Sequence, residues 1–206
     1  MLRRITVILG LILTLLFVVG CDSPPTEISV QPRPLSQRPE IAVVDFTNAT
    51  NSAGIGRGVA DMLEADLVQT QRYQVISRHQ WNAILREQIY QNLYLHPERA
   101  VRTGEMVGAK YLITGSVNQA RVEPVRMSVA DLSFQGHKAT VSVTLQVIEV
   151  ATGTIVEAFD CFGSATQASG RVLDIEIGNT GWEGSLLGKA CRDAIAKAVN
   201  HLAACI

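Results

Sequence analysis

The N-terminal leader constrains this chain more than any other feature, because it decides where the rest must fold. Arg3 and Arg4 precede an apolar run from Ile5 to Val19, and the small Gly20 stands directly before Cys21. A membrane-spanning helix needs about 20 apolar residues with anchoring flanks. This run is shorter and ends at a cysteine followed by Asp22, so residues 1–20 read as a secretory signal that is removed. Val18-Val19-Gly20-Cys21 resembles the bacterial lipobox, in which the cysteine thiol is diacylated, the peptide bond before it is cut and the new amine is acylated. Several acyl chains, at roughly 0.8 kcal/mol per buried methylene, make a stable bilayer anchor where one chain is marginal. The mature chain is then expected to begin at a lipidated Cys21 and to fold outside the cytoplasm.

Removing the leader takes away two of the 18 Lys and Arg residues and none of the 19 Asp and Glu, leaving a net charge of −3. That balance argues against nucleic acid as a partner. The mature residues suffice for one domain with a real core. With 18% charged residues over the whole chain, the surface is apolar for a free monomer, which points to a homo-oligomer. Three further cysteines, Cys161, Cys191 and Cys205, lie in a compartment that permits disulfides. Cys191 and Cys205 fall on one expected helix, whose 1.5 Å rise per residue holds them about 21 Å apart, far beyond bridging distance. Any bridge therefore joins Cys161 to Cys191 or to Cys205.

Residues 21–39, with Pro24, Pro25, Pro32, Pro34 and Pro39, carry no hydrophobic period and read as a Pro-rich tether. From Cys21, such a tether reaches about 60 Å at full stretch. The folded domain, 40–206, opens with the apolar run Ile41 to Phe46, followed by a loop and a helix whose Ile55, Val59, Met62, Leu63 and Leu67 share one face. Tyr73 to Ile76 reads as a strand. Ser77 and Gln80 make a capping-box signal for a helix carrying Trp81, Ile84, Leu85 and Ile89, and Glu98 to Val107 reads as a short helix closed by Gly108. Strands follow at Tyr111 to Val117, Val141 to Val147 and Thr154 to Asp160, and a closing helix runs from about Ser185 to Ala203. The order β-α-β-α-α-β-β-β-α predicts a single α+β domain with a mixed β-sheet and helices mainly on one face. The stretches 118–140 and 163–184 leave room for extra β-hairpins.

Enzyme chemistry finds no footing. Gly54, Gly56 and Gly58 lack the Gly-Lys-Ser/Thr end of a phosphate loop, and Val59 occupies the place of the third dinucleotide-fold glycine. They read as a loop entering a helix. His79, His96, His137 and His201 are dispersed without His-x-x-x-His or Cys-x-x-Cys spacing, so no metal site and no cofactor is expected. No Gly-x-Ser-x-Gly elbow is present, and Asp61 with Glu64 reads as a solvated helix face. Trp182 lies in a Gly-rich stretch, where an aromatic suits an interface or a membrane surface.

Several segments in order resemble the CsgG family of curli secretion channels. They are Ile41-Ala-Val-Val-Asp-Phe46, Gly54-Ile-Gly-Arg-Gly-Val-Ala-Asp-Met-Leu63, the stretch Val75 to Gln88, Gly108-Ala-Lys-Tyr-Leu-Ile-Thr-Gly-Ser-Val117, Val143 to Gly153 and Leu187 to Ile195. The resemblance implies an outer-membrane lipoprotein that oligomerises in a ring, each subunit adding two β-hairpins to a barrel that exports curli subunits. The family's constriction loop carries an aromatic and an asparagine. The matching loop here, Thr47 to Ala53, has Asn48 and Asn51 but no aromatic, so constriction residues do not transfer. The resemblance also implies a secreted or periplasmic protein partner.

Of the two expected hairpins, 163–184 has the clearer membrane pattern. Leu173, Ile175 and Ile177 alternate with Asp174 and Glu176, which suits a barrel wall with lipid on one side and a wet lumen on the other. Asp22 resembles the inner-membrane retention signal of enterobacterial lipoproteins, so the outer-membrane placement and this residue pull in opposite directions. A second reading is a periplasmic adaptor without a pore, similar to the penicillin-binding-protein activator LpoB, a role that requires a long tether.

Overall fold

The computed structural model describes residues 26–77, 108–129, 132–169 and 185–206. In chain order they form a short 3-10 turn at Leu35–Gln37, β1 (Glu40–Val43), β2 (Thr47–Asn48), α1 (Ile55–Gln69), β3 (Gln74–Ile76), β4 (Tyr111–Val129), β5 (Leu132–Glu149), β6 (Thr154–Ser169) and α2 (Leu186–Cys205). The expected helices at 80–107 lie outside the described residues.

Among the described residues, six strands make one sheet in the order β3-β1-β4-β5-β6, with β2 paired to β4. β1 runs parallel to both β3 and β4, while β4, β5 and β6 form an antiparallel meander. The sheet is mixed, and the domain is α+β.

The apolar run at β1 shows no alternation because it is buried on both sides. Ile41 and Val43 join the core under the helices, whereas Ala42 and Val44 join a second cluster with Leu112 and Ile148 on the opposite face. β5 instead alternates: Val141, Val143, Leu145 and Val147 face the core, and Thr144 and Gln146 stay half-exposed. Helices α1 and α2 both pack against the first face, through Val59, Leu63 and Leu67 of α1 and Cys191, Ile195 and Leu202 of α2. Each fully buried Leu or Ile stabilises the fold by about 1.5–3 kcal/mol relative to an exposed one. Ser185 caps α2 by accepting a hydrogen bond from the Gly188 N–H at 3.0 Å.

Two glycines hold the layers close. A Cβ on Gly56 would lie 2.2 Å from the Phe46 carbonyl oxygen, and one on Gly163 would lie 2.0 Å from the Ala190 carbonyl oxygen. The first lets α1 start directly beneath the chain leaving β1, and the second lets β6 pass under α2.

The strands outrun their expected ends. β4 and β5 continue through 118–140 as paired strands, with a bulge between Val117 and Gln119. β6 continues through Gly163 to Ser169, paired with β5 as far as Gln135. The reason is physical: most described side chains of this stretch are exposed on both faces, so the in-out alternation that marks a half-buried strand weakens while the backbone ladder goes on.

Candidate functional site

Cys21 and the alternating segment Leu173, Asp174, Ile175, Glu176 and Ile177 lie outside the described residues, as do Trp81 and Trp182. The structure describes the chain from Thr26 onward, β6 as far as Ser169, and the end of α2.

Residues 26–39, expected as tether, lie along the domain. Asn200 of α2 accepts a hydrogen bond from the Ser29 N–H at 2.9 Å and donates one to the Glu27 carbonyl at 2.9 Å. Val30 packs against the core, and the Arg33 N–H donates to the Gln71 carbonyl at 3.1 Å. Asp193, one turn before Lys197, closes the junction. One carboxylate oxygen accepts from the Thr26 hydroxyl, and the other accepts from the Ser164 N–H at 3.0 Å and from Lys197 Nζ at 2.8 Å. Burial pushes this carboxyl up, but the bonds from Lys197, Thr26 and Ser164 outweigh it and hold Asp193 below the usual carboxylate range. A single side chain thus joins the post-anchor segment, β6 and α2.

Among the described side chains, the arm formed by β4, β5 and β6 beyond the helices is exposed on both faces once Ala139 has left the core. One face presents Val122, Pro124 and Arg126 beside His137 and Gln135, with Gln167 on β6. The other presents Arg121 and Glu123 beside Thr140 and Lys138, with Ser164 and Thr166. Glu123 and Lys138 stand directly opposite each other in register, a stabilising cross-strand pair. Gln119 to Arg126 spans about 23 Å at the usual rise per residue, close to the about 25 Å apolar band of a membrane barrel. Neither face carries such a band over these residues.

The tempting sites resolve locally. Gly54 takes a left-handed φ of 74° at the start of α1, and Gly56 is a packing contact, so this cluster needs no anion to explain it. In the loop after β1, Asn48 Oδ1 accepts from both the N–H and the hydroxyl of Thr50, and its amide donates to the Ser52 carbonyl. That asparagine is committed to its own loop.

Cys161, Cys191 and Cys205 are free thiols in this structure. Cys161 and Cys191 serve as small apolar core residues, and burial pushes their thiols up to about 11 and about 12. Cys205 is exposed at the end of α2, where it meets His201 and Glu157. The sequence held half of this signal, since His201 and Cys205 are one helical turn apart. Glu157 comes from β6 and is brought in only by the fold.

The sequence profile described as "Curli production assembly/transport component CsgG" matches residues 23–206. No curated protein matches the chain. Among solved structures, a hypothetical protein of Chlamydia trachomatis is 10% identical, with a TM-score of 0.54 over 82% of this chain and 97% of its own. PelC from Paraburkholderia phytofirmans, solved as a dodecamer, is 18% identical, with a TM-score of 0.47 over 85% of this chain and 95% of its own. The LpoB C-terminal domain from Salmonella enterica is 16% identical, with a TM-score of 0.44 over 66% of this chain and 86% of its own. At these identities the Chlamydia protein speaks for the fold alone, and the other two carry no argument. Because one family profile spans everything from Ser23 to Ile206, including the strands and helices described above, the chain belongs to the CsgG family.

Proposed function

We propose that this protein is a non-enzymatic envelope lipoprotein, anchored through acylated Cys21, that works as a homo-oligomer in a curli-type assembly or secretion complex at the outer membrane. The observation that carries the reading is the family match, which begins at Ser23, two residues after the lipidation site. Anchor and domain are one unit. Because Thr26 is already hydrogen-bonded to Asp193, only residues 21–25 separate the lipid from the domain, at most about 17 Å of extended chain. A body held that close to its membrane suits assembly at the bilayer. It does not suit an adaptor that must reach across the periplasm, so the LpoB-like reading loses its main requirement.

Oligomerisation is supported by the edge of the sheet. β6 ends the described sheet, and it carries Ile155, Val156 and Phe162 exposed, the last at 63%. An apolar edge strand of this length is a surface for another chain.

The anchor is tested by Cys21→Ser, which removes the acylated thiol. The variant is expected to leave the membrane fraction and to lose labelled fatty acid that the parent incorporates. Retention of the variant in washed membranes would refute anchoring through Cys21.

A further inference from the structure

The C-terminal turn of α2 and the edge strand β6 bring together three metal-binding side chains of three different types. His201 and Cys205 are spaced i, i+4 and so share a helix face, and Glu157 reaches them from β6. One donor atom from each lies within 4.8 Å of the others, and His201 Nε2 stands 3.2 Å from Glu157 Oε1. The Phe159 ring packs on the His201 imidazole with centroids 4.1 Å apart, which limits where that ring can turn.

We propose that Glu157, His201 and Cys205 form a binding site for one zinc ion. The donor set is the reason for the choice. A thiolate, an imidazole and a carboxylate are the zinc ligands of proteins, and the thiolate disfavours magnesium and calcium. In a tetrahedral site with bond lengths of about 2.0–2.3 Å, ligand atoms stand about 3.3–3.8 Å apart, so the observed spread closes by small side-chain rotations. Two further features favour a cation here. The carbonyl end of α2 carries partial negative charge, and no basic residue occupies its last turn.

Binding displaces the Cys205 thiol proton to solvent and forms the sulfur–zinc bond; His201 Nε2 and a Glu157 oxygen supply the next two ligands, and water completes the fourth position. Zinc held this way ties the last turn of α2 to β6. Cys161 and Cys191 are buried in the core and offer no competing thiolate.

The test uses the mature lipoprotein in mild detergent, purified without a histidine tag, reduced and stripped with a chelator. Cobalt(II) serves as the spectroscopic probe, followed by its displacement with zinc. The parent is expected to bind one equivalent, with a thiolate-to-cobalt charge-transfer band and the intense visible bands of a tetrahedral ion, and zinc is expected to raise its melting temperature. Cys205→Ser should abolish the charge-transfer band. His201→Ala and Glu157→Gln should each weaken zinc by more than the about 10- to 100-fold typical of changes outside the ligand shell. Circular dichroism of each stripped variant reports whether it folds, and all three sites are at the surface or its margin. Two results would overturn the proposal: a parent that gives no charge-transfer band, and a band that survives in Cys205→Ser.

Discussion

Asp193 stabilises three contacts with one carboxylate, and its value follows from what it leaves unpaired when removed. Its side chain is 13% exposed, but Ser164 is exposed and Thr26 half-buried, so water replaces part of what its loss removes. Asp193→Ala is expected to lower the unfolding free energy by about 1–2 kcal/mol, the net worth of hydrogen bonds to a charged group that water partly replaces, read from urea midpoints. The pH dependence has a definite sign. A carboxyl held below its usual range adds stability that is fully present above the unfolded aspartate pKa of about 3.9 and is lost as pH falls through its lower folded value. Asp66 runs the other way: burial pushes its carboxyl up, against the charge of Arg192, so it weakens the fold above that raised value and the penalty fades as pH falls. Comparing Asp193→Asn with the parent across pH cancels Asp66. The gap between them should be constant near neutrality and close in the acid limb below about pH 4; a gap that persists there would mean the carboxylate charge is not what matters.

At the scale of elements, legibility in the sequence tracked dryness. Strands with a buried face, such as Val141 to Val147, and helices with an apolar stripe, such as Ile55 to Leu67, were read correctly. The arm shows in the sequence only as room for an extra hairpin over 118–140, because Arg121, Glu123, Thr140 and Lys138 on one face and Arg126, His137 and Gln135 on the other blur the alternation. The two-residue β2 is too short to show in the sequence, and the order of residues 26–39 comes from long-range hydrogen bonds rather than from any period of their own. That segment yields an element-scale prediction. Asn200→Ala removes both the acceptor for Ser29 and the donor to Glu27. Amide exchange at residues 26–30 should speed up severalfold while exchange in the β5 core stays as in the parent, and global stability should fall by only about 1 kcal/mol. Equal exchange in both proteins would show that the segment is held by Val30 packing and Asp193 alone.

For the whole molecule, the family and the fold were legible from ordered segments spread along the chain, whereas the Glu157, His201 and Cys205 cluster was half hidden, since Glu157 joins the other two only through the packing of α2 on β6. The same packing bears on how an oligomer of this chain meets the bilayer. The family resemblance implies two membrane hairpins per subunit, yet Arg121, Glu123 and Arg126 on β4 and His137 and Lys138 on β5 are exposed across the two faces of the arm, and an Arg or Lys facing lipid at mid-membrane costs roughly 2–4 kcal/mol. The alternation of Leu173, Ile175 and Ile177 with Asp174 and Glu176 makes the stretch after Ser169 the one we propose to meet lipid. The prediction is that the detergent-extracted parent is larger than one subunit by light scattering and conducts in planar bilayers, and that Ile175→Arg oligomerises but conducts far less, because the same charge penalty now applies on the lipid side. Equal conductance from the two proteins would remove residues 173–177 from the wall. A parent that oligomerises without conducting would leave an envelope assembly factor whose ring stands on the membrane rather than through it, a position that the proposed anchor at Cys21, at most about 17 Å of extended chain from Thr26, permits.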